Sequence, residues 1–296
     1  MLSLAVVTPF DPWRNPYCTC PRKYSVSPYT GCSHRCLYCY ITSYIPNAFS
    51  CRPKKSFIER LSKDIKRITP SLPISMANSS DPYAPIESEL RLTRKALQLL
   101  LPEGFKVLLI TKSSLVANDR DVIAQGNCSV SISITTIDDE IARTLEPSAP
   151  PPSKRLSTLG ALTSSGIPCS VRIDPLIPGI NDDVKMLEGL VAEVASAGAS
   201  HLVAATYKAK IDSFNRLLKA FPECAEKLRN LYWAIGEAKG KARYLPFEVR
   251  INLLKALKAE AEKRGLTFST CREGCADLKS GDSCDGSHLI PSRLFP

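Results

Sequence analysis

Short apolar runs alternate with longer amphipathic stretches through the middle of the chain. Residues 105–110 form a continuous apolar run of the kind that fills a strand buried on both faces, and residues 88–100 carry leucines at helical spacing. By the same criteria we predict strands near 24–28 and at 72–77, 129–134, 168–174, 201–205 and 266–270, and helices at 118–125, 153–165, 182–197, 212–220, 223–231 and 247–263.

Strands that alternate with helices of this length predict right-handed βαβ units around a parallel sheet. The glycine signature of dinucleotide folds and the P-loop are both absent from the sequence. We therefore predict an α/β fold built as a complete or partial (β/α) barrel, in which chemistry lies at the carboxyl ends of the strands. We divide the chain into an N-terminal cysteine-containing extension (1–23), the barrel (24–235) and a C-terminal helix with a cysteine-rich tail (236–296).

Composition and charge narrow the class of protein. No apolar run approaches the roughly 20 residues that cross a bilayer, and the apolar start is too short for a secretory signal. We therefore expect a cytoplasmic protein without a membrane partner. The formal charge of +10 favours a polyanionic partner such as nucleic acid, although the basic residues are spread along the chain.

The chain has twelve cysteines, and their distribution is uneven. Cytosolic thiols stay reduced, so clustered cysteines there bind metal more often than they form disulfides. Cys128, Cys169 and Cys224 stand alone and are expected to be small buried apolar residues. The others crowd the two ends of the chain: Cys18, Cys20, Cys32, Cys36, Cys39 and Cys51 near the start, and Cys271, Cys275 and Cys284 near the end.

Cys32, Cys36 and Cys39 follow the first predicted strand, with three and two residues between them. Thiolates are the normal ligands of iron–sulfur clusters, usually four to a cluster. Three local thiolates would leave one iron of a [4Fe–4S] cluster open. The alternative is a zinc site that adds His34, but structural zinc sites normally use two separated ligand pairs. The spacing therefore favours the iron–sulfur cluster.

This Cys-x-x-x-Cys-x-x-Cys motif, with Tyr38 before its last cysteine, resembles the signature of the radical SAM superfamily. The string 28–40 resembles the branch related to spore photoproduct lyase, whose members are described as DNA repair photolyase-like. The resemblance covers about residues 17 to 205. It includes the blocks at 78–83 with Glu87, 109–113, 133–136, 145–147 and 174–179.

The resemblance implies a partial (β/α)₆ barrel that binds S-adenosylmethionine (SAM) at the open iron. It implies one-electron cleavage of SAM to a 5′-deoxyadenosyl radical, which takes a hydrogen atom from the substrate, with a ferredoxin or flavodoxin as electron donor. Tyr38 and Tyr40 would lie against the cluster and SAM. Ser80, Lys112 and Ser133, at the ends of successive strands, would bind SAM, whose carboxylate suits hydroxyl donors and a cation.

The sequence departs from spore photoproduct lyase at the hydrogen donor. Where that enzyme has a cysteine, two residues before the serine matching Ser80, this chain has Asn78, and an amide cannot donate a hydrogen atom. Tyr40 and Tyr83 are the candidate relays in its place. Of Arg172 and Asp174, which we expect on opposite faces of their strand, Asp174 is predicted to enter the barrel near the adenosine.

The remaining terminal cysteines suggest an auxiliary metal site. Four thiolates can be drawn from Cys18, Cys20, Cys271, Cys275 and Cys284 if the tail folds back beside the N-terminus. The polar, glycine-rich tail has little reason to order itself without a metal. A second iron–sulfur cluster is the leading interpretation, with zinc or unused reduced thiols as alternatives.

The leading functional hypothesis is an enzyme that abstracts hydrogen from a nucleic-acid base, a small metabolite or a protein side chain. The alternative is a non-catalytic iron–sulfur or zinc protein that senses redox state or binds nucleic acid. The polar set Ser80, Lys112 and Ser133 argues against a sensor, which needs no such pocket. An ordinary SAM methyltransferase would carry a glycine-rich loop where the cysteine motif stands.

Overall fold

A computed structural model describes residues 4–10, 15–76 and 79–293. Its centre is an eight-stranded sheet whose strands lie side by side in chain order; β2 to β8 are parallel, and β1 pairs antiparallel with β2 at one edge. No pairing joins β1 to β8 in this part of the chain, so the barrel is open. The strands are β1 (Val7–Pro9), β2 (Tyr24–Val26), β3 (Ile74–Met76), β4 (Val107–Thr111), β5 (Cys128–Ser133), β6 (Cys169–Leu176), β7 (His201–Thr206) and β8 (Thr267–Thr270).

Helices cover the outer face of the sheet, and the α/β partial barrel predicted from the sequence is confirmed. The α-helices are Phe57–Ile65, Glu87–Leu90, Leu92–Leu100, Arg120–Gln125, Asp139–Leu145, Pro152–Thr163, Val184–Ser196, Ile211–Ala220, Ala225–Arg229 and Phe247–Lys263. Shorter helical turns span Tyr40–Ser43, Ser114–Asp119, Pro222–Cys224, Asn230–Ala234, Ala276–Leu278 and Ser287–Leu289. Two small strand pairs join Tyr29–Thr30 to Arg52–Pro53 and Glu237–Lys239 to Ala242–Tyr244.

The structure adds elements that the apolar pattern did not predict. Helix Asp139–Leu145 is short and is fixed by its cap, because the Asp138 carboxylate accepts hydrogen bonds from the amides of Glu140 and Ile141. The helix predicted at 88–100 is divided at Arg91, which has a φ of 50°. Strand β8 lies in the main sheet, so the C-terminal segment and the barrel share one sheet; the domain boundaries themselves stay predictions.

The two faces of the sheet differ in polarity. Val107 and Leu109 of β4 pack into the apolar core under the helices. Serines alternate with such residues and point to the barrel interior, where Ser170 of β6 donates a hydrogen bond to Ser131 of β5 over 2.9 Å. Pairing of buried hydroxyls with one another offsets the cost of removing them from water.

The chain's own tail occupies part of this polar interior. A Cβ built on Gly286 would lie 2.8 Å from Ser170 Oγ, and one built on Gly281 would lie 2.8 Å from His201 Cε1. The His201 ring also packs edge-on against His288, with ring centroids 4.8 Å apart. These glycines are required because only a residue without a side chain lets the tail pass so close to the strands. Among the described residues, no helix combines the length and apolarity that crossing a membrane requires.

A buried carboxylate anchors edge strand β1 to the helical layer. Asp64, whose residue surface is only 2% exposed, accepts hydrogen bonds of 2.7 to 2.9 Å from the amides of Ala5, Val6 and Val7. Burial alone would raise the pKa of Asp64, but the backbone amides outweigh it and hold that pKa below its usual value. The N-terminal strand therefore depends on one ionised side chain.

We expect Asp64→Ala to lower the free energy of unfolding by about 2–4 kcal/mol, because it strands buried amides without acceptors. Urea denaturation of the metal-free chain measures this. The matched control is Glu59→Ala, an exposed carboxylate on the same helix, which should change stability by less than about 0.5 kcal/mol. Equal effects of the two substitutions would contradict the anchoring role.

Candidate active site

The loop that carries Cys32, Cys36 and Cys39 follows β2 and is tied down on both sides. Gly31 has a φ of +74°, and a Cβ there would lie 2.5 Å from the Ser50 carbonyl oxygen, so only glycine fits this close approach. The Cys32 amide donates to the Ala48 carbonyl over 2.8 Å. Another 2.8 Å bond runs from the Leu37 amide to the Leu145 carbonyl. The loop is therefore held in a defined course.

The three thiols converge in a pocket that excludes most water. Each interacts electrostatically with at least one of the others, and Cys36 is buried. Burial raises the pKa of Cys36 well above its usual value and that of Cys32 to about 12, while the Lys112 ammonium partly offsets the effect on Cys36. Desolvated thiols that share one nearby cation form a donor set that fits a thiolate-bound cluster.

Asp81, which follows β3, joins the cysteine loop to the end of β4. Its carboxylate lies 3.2 Å from His34 Nε2 and accepts hydrogen bonds from the Thr111 hydroxyl at 2.6 Å and the Lys112 amide at 2.8 Å. Burial raises the pKa of Asp81, but His34 and these donors outweigh it and hold the pKa at about 2. His34 Nδ1 lies 3.2 Å from the Ser148 carbonyl, so its ring faces Asp81 and Ser148. This geometry does not favour the zinc alternative that used His34.

A second buried carboxylate, Glu146, holds the cation. Lys112 Nζ lies 3.9 Å from Glu146 Oε1 and 5.6 Å from the centroid of the Tyr38 ring. Glu146 also accepts hydrogen bonds from the Tyr38 and Thr135 hydroxyls and pairs with Arg155. Burial raises the pKa of Glu146, but Arg155 and Lys112 outweigh it and keep the carboxylate ionised. Sequence reasoning noted Glu146 and Asp81 only as parts of family blocks and assigned them no role.

The two predicted hydroxyl donors lie at neighbouring strand ends. Ser80 Oγ is 2.6 Å from Ser27 Oγ and donates to the Tyr29 carbonyl over 3.2 Å. The Ser133 hydroxyl makes no hydrogen bond to another described residue. Together with Lys112, these groups place polar contacts around the carboxyl ends of β3, β4 and β5, as the sequence predicted; their binding of SAM stays a prediction.

Tyr40 lies at the mouth of the barrel. Its ring stacks on Tyr44 with centroids 6.1 Å apart, and it interacts electrostatically with Arg272, Cys39 and Asp174. Burial raises the pKa of Tyr40 above its usual value, so the phenol stays protonated at neutral pH. This position beside the cysteine loop is compatible with the predicted role as a hydrogen relay.

Tyr83 is placed differently. It is buried in the core under the helices, and its hydroxyl donates to Asp119 over 2.9 Å. The structure does not bring this hydroxyl together with the cysteine loop, and the relay role of Tyr83 stays a prediction. Asn78, the substituted hydrogen-donor position, lies outside the described residues.

Arg172 and Asp174 share one face of β6, so the expectation of opposite faces was wrong. Residues two apart in a strand point the same way, and here they form an ion pair of 2.6 Å. Burial raises the pKa of Asp174, but Arg172 and then Lys208 outweigh it and lower that pKa. Asp174 does face the mouth near Tyr40, as its predicted place beside the adenosine requires.

The terminal cysteines divide into two sets. Cys20 Sγ lies 3.2 Å from Cys284 Sγ and hydrogen-bonds to the thiol of Cys18, and Cys271 interacts electrostatically with both Cys18 and Cys284. Cys275 instead has Glu273 and Arg250 as charged neighbours. Within the described residues, no three His, Cys, Asp or Glu side chains are yet gathered as a metal-binding group, so either cysteine set must close around a metal.

Comparison with known proteins agrees with this geometry. The family model described as the radical SAM superfamily matches residues 26–190. An uncharacterised protein of Mycobacterium tuberculosis is 27% identical over 234 residues, covering 72% of this chain and 68% of that protein. The radical SAM Nalpha-GlyT isomerase of Pseudomonas phage M6 is 24% identical over 259 residues, covering 83% of this chain but only 53% of the phage protein.

Solved structures of spore photoproduct lyase share the fold. One variant superposes with a TM-score of 0.66 at 18% identity, covering 83% of this chain and 75% of that chain. Another, with bound AdoMet and dinucleoside spore photoproduct, superposes with a TM-score of 0.64. The family match covers more than half of the chain and contains the cysteine loop, Lys112 and Glu146. The chain therefore belongs to the radical SAM superfamily of enzymes.

Proposed function

We propose that this enzyme reductively cleaves SAM and uses the resulting 5′-deoxyadenosyl radical to abstract hydrogen from a nucleic-acid base. The observation that carries the proposal is the convergence of three desolvated thiols beside a cation held by Glu146 at the barrel mouth. Cys32, Cys36 and Cys39 would hold the [4Fe–4S] cluster, which supplies the open iron and the electron. A ferredoxin or flavodoxin is the proposed donor of that electron.

Lys112 is suited to bind the SAM carboxylate. Burial lowers its pKa, but Glu146 and Cys36 outweigh it and raise that pKa, so the ammonium stays charged. At 3.9 Å its contact with Glu146 is longer than a direct hydrogen bond, which leaves its donors able to reach a second carboxylate. Arg155 keeps Glu146 paired in the meantime.

The buried network around Asp81 positions the reacting groups. It links the cysteine loop through His34 to the backbone of Lys112, so thiols and cation keep a fixed separation. Ser80 and Ser133 add hydroxyls on either side of Lys112. A rigid frame of this kind lowers the cost of orienting SAM, because the protein groups are already in place before binding.

A basic and aromatic rim supports a nucleic-acid substrate. Arg272 interacts electrostatically with both Tyr40 and Tyr44, and Lys210 is repelled by Lys241 and Arg272, which helps to lower its pKa after the larger effect of burial. Tyr44 is 45% exposed. Cations beside stacked, exposed aromatic rings suit phosphates and unstacked bases.

The relatives point in the same direction. The spore photoproduct lyase structure holds a dinucleoside photoproduct, and the phage relative is named as an isomerase, so hydrogen abstraction without oxidation of the substrate is known for similar proteins. A small metabolite or a protein side chain remains the competing substrate class. The non-catalytic alternative has less support, since a binding protein does not need a buried Lys112–Glu146 pair.

The first prediction concerns SAM cleavage. After anaerobic reconstitution with iron and sulfide and reduction with dithionite, we expect 5′-deoxyadenosine to form from SAM, as followed by chromatography. Cys36→Ala should abolish it, because the cluster loses one of three ligands. Cys51→Ala, a nearby cysteine outside the motif, should keep it. An intact cluster that yields no 5′-deoxyadenosine, with or without DNA and RNA, would favour the non-catalytic alternative.

The second prediction isolates the cation. Lys112→Met should weaken SAM binding roughly 10- to 100-fold, because one charge-assisted hydrogen bond is worth about 1.5–3 kcal/mol. Equilibrium dialysis with labelled SAM measures this at equal cluster content. The exposed Lys95→Met is the control and should bind SAM normally. Unchanged affinity in the Lys112 variant would remove Lys112 from the SAM site.

The third prediction tests the rim with fluorescent single-stranded DNA and RNA oligonucleotides. The double variant Lys210→Ala/Lys241→Ala should bind more weakly and reduce the slope of log affinity against log salt by about 1 to 1.5, since each lost phosphate contact releases fewer counterions. Lys255→Ala/Lys263→Ala, exposed on helix Phe247–Lys263, keeps the same net charge as the test variant. Equal salt slopes for the two variants would indicate that binding is diffuse.

A further inference from the structure

We propose that Cys18, Cys20, Cys271 and Cys284 form a four-thiolate site for a single zinc-class ion, and that Cys275 takes no part in it. The inference concerns a site separate from the SAM site and does not depend on the proposed reaction. It starts from thiols that two remote parts of the chain bring together.

The closest approach is between Cys20 and Cys284, whose sulfur atoms are 3.2 Å apart although the residues are far apart in sequence. Cys18 joins them through a thiol–thiol hydrogen bond to Cys20. Their neighbours fix this meeting, because Lys23 forms a buried ion pair with Asp285 immediately beside it. The three sulfur atoms therefore meet within a packed contact between the two ends of the chain.

Cys271 supplies the fourth ligand. It follows β8 directly, and its amide donates to the Ala204 carbonyl over 2.9 Å, which fixes its backbone. Its thiol interacts electrostatically with Cys18 and Cys284 and forms a side-chain hydrogen bond with Arg172. Rotation of this side chain from Arg172 toward the other sulfurs would complete the set.

The spacing distinguishes a single ion from a second cluster. Tetrahedral zinc with Zn–S bonds of about 2.3 Å holds its sulfurs about 3.8 Å apart. A cubane binds each thiolate at a different iron, so its protein sulfurs stand farther apart than ligands of one ion. The 3.2 Å separation and the Cys18–Cys20 hydrogen bond are close to the first geometry.

The surrounding charge suits four thiolates on a divalent ion, which carry a net charge of −2. Arg172 and Arg272 both interact with Cys271, and Lys23 lies near Cys20 and Cys284. These cations offset the excess negative charge in a site that is largely buried.

The site lies at the seam of the open barrel. Cys18 and Cys20 belong to the connection between β1 and β2 at one edge of the sheet, and Cys271 and Cys284 follow β8 at the other edge. An ion held here would fasten the two edges together without strand pairing and would hold the tail against the barrel interior. Its role is structural, since all four coordination positions are taken by protein.

The test uses a full-length variant in which Cys32, Cys36 and Cys39 are all alanine, so that the first cluster cannot contribute metal. After expression with both zinc and iron, elemental analysis should find about one zinc per chain and no acid-labile sulfide. Cobalt should replace the zinc and give the visible absorption of tetrahedral thiolate coordination. Adding Cys20→Ser or Cys284→Ser should abolish the zinc, while adding Cys275→Ser should leave it.

Three outcomes would overturn the site. Iron with acid-labile sulfide that depends on Cys20 would mean a second cluster. Loss of zinc in the Cys275 variant, with circular dichroism and gel filtration unchanged, would mean a different ligand set. A metal-free protein with a Cys20–Cys284 disulfide, found by mass spectrometry of alkylated peptides, would mean a redox pair. Because the SAM site is removed in this background, failure of the proposed function cannot produce any of these results.

Discussion

The active site depends on the ionised, buried carboxylate of Glu146. It accepts the Tyr38 hydroxyl, pairs with Arg155 and holds Lys112 toward the cysteine loop. Removing one partner of such a buried charge network typically costs about 3–5 kcal/mol, because the remaining charges are left uncompensated. Stability and function are therefore coupled here: the interaction that keeps the end of β4 in place also keeps a cation charged inside a largely apolar barrel.

The sequence could predict much of the fold and the centre of the site. Continuous apolar runs such as 105–110 identified the parallel strands, and the local spacing of Cys32, Cys36 and Cys39 identified the metal-binding loop. Both signals lie within a few residues of each other, which is the range over which a single sequence is informative. Ser80, Lys112 and Ser133 could be placed because every parallel strand ends at the same edge of the sheet.

What the sequence could not supply are contacts between distant segments. Asp81 and Glu146 are ordinary acidic residues until the fold places His34 and Arg155 against them. The same holds for the rim, where Lys210, Lys241 and Arg272 come from separate segments and form no basic run. Among the terminal cysteines, residue spacing could not separate Cys275 from the other four, since the choice depends on which side of the tail each thiol faces.

The tail gives the barrel a direction. Residues near Gly281 and Gly286 lie against the inner faces of β6 and β7, and further along the chain the Arg293 amide donates to Asn127, which immediately precedes β5. The amino ends of the strands are thus closed by the protein itself, and a large ligand has one way in, from the side of the cysteine loop. A reactive intermediate formed there is shielded from solvent below, and only the molecule bound above it is within reach.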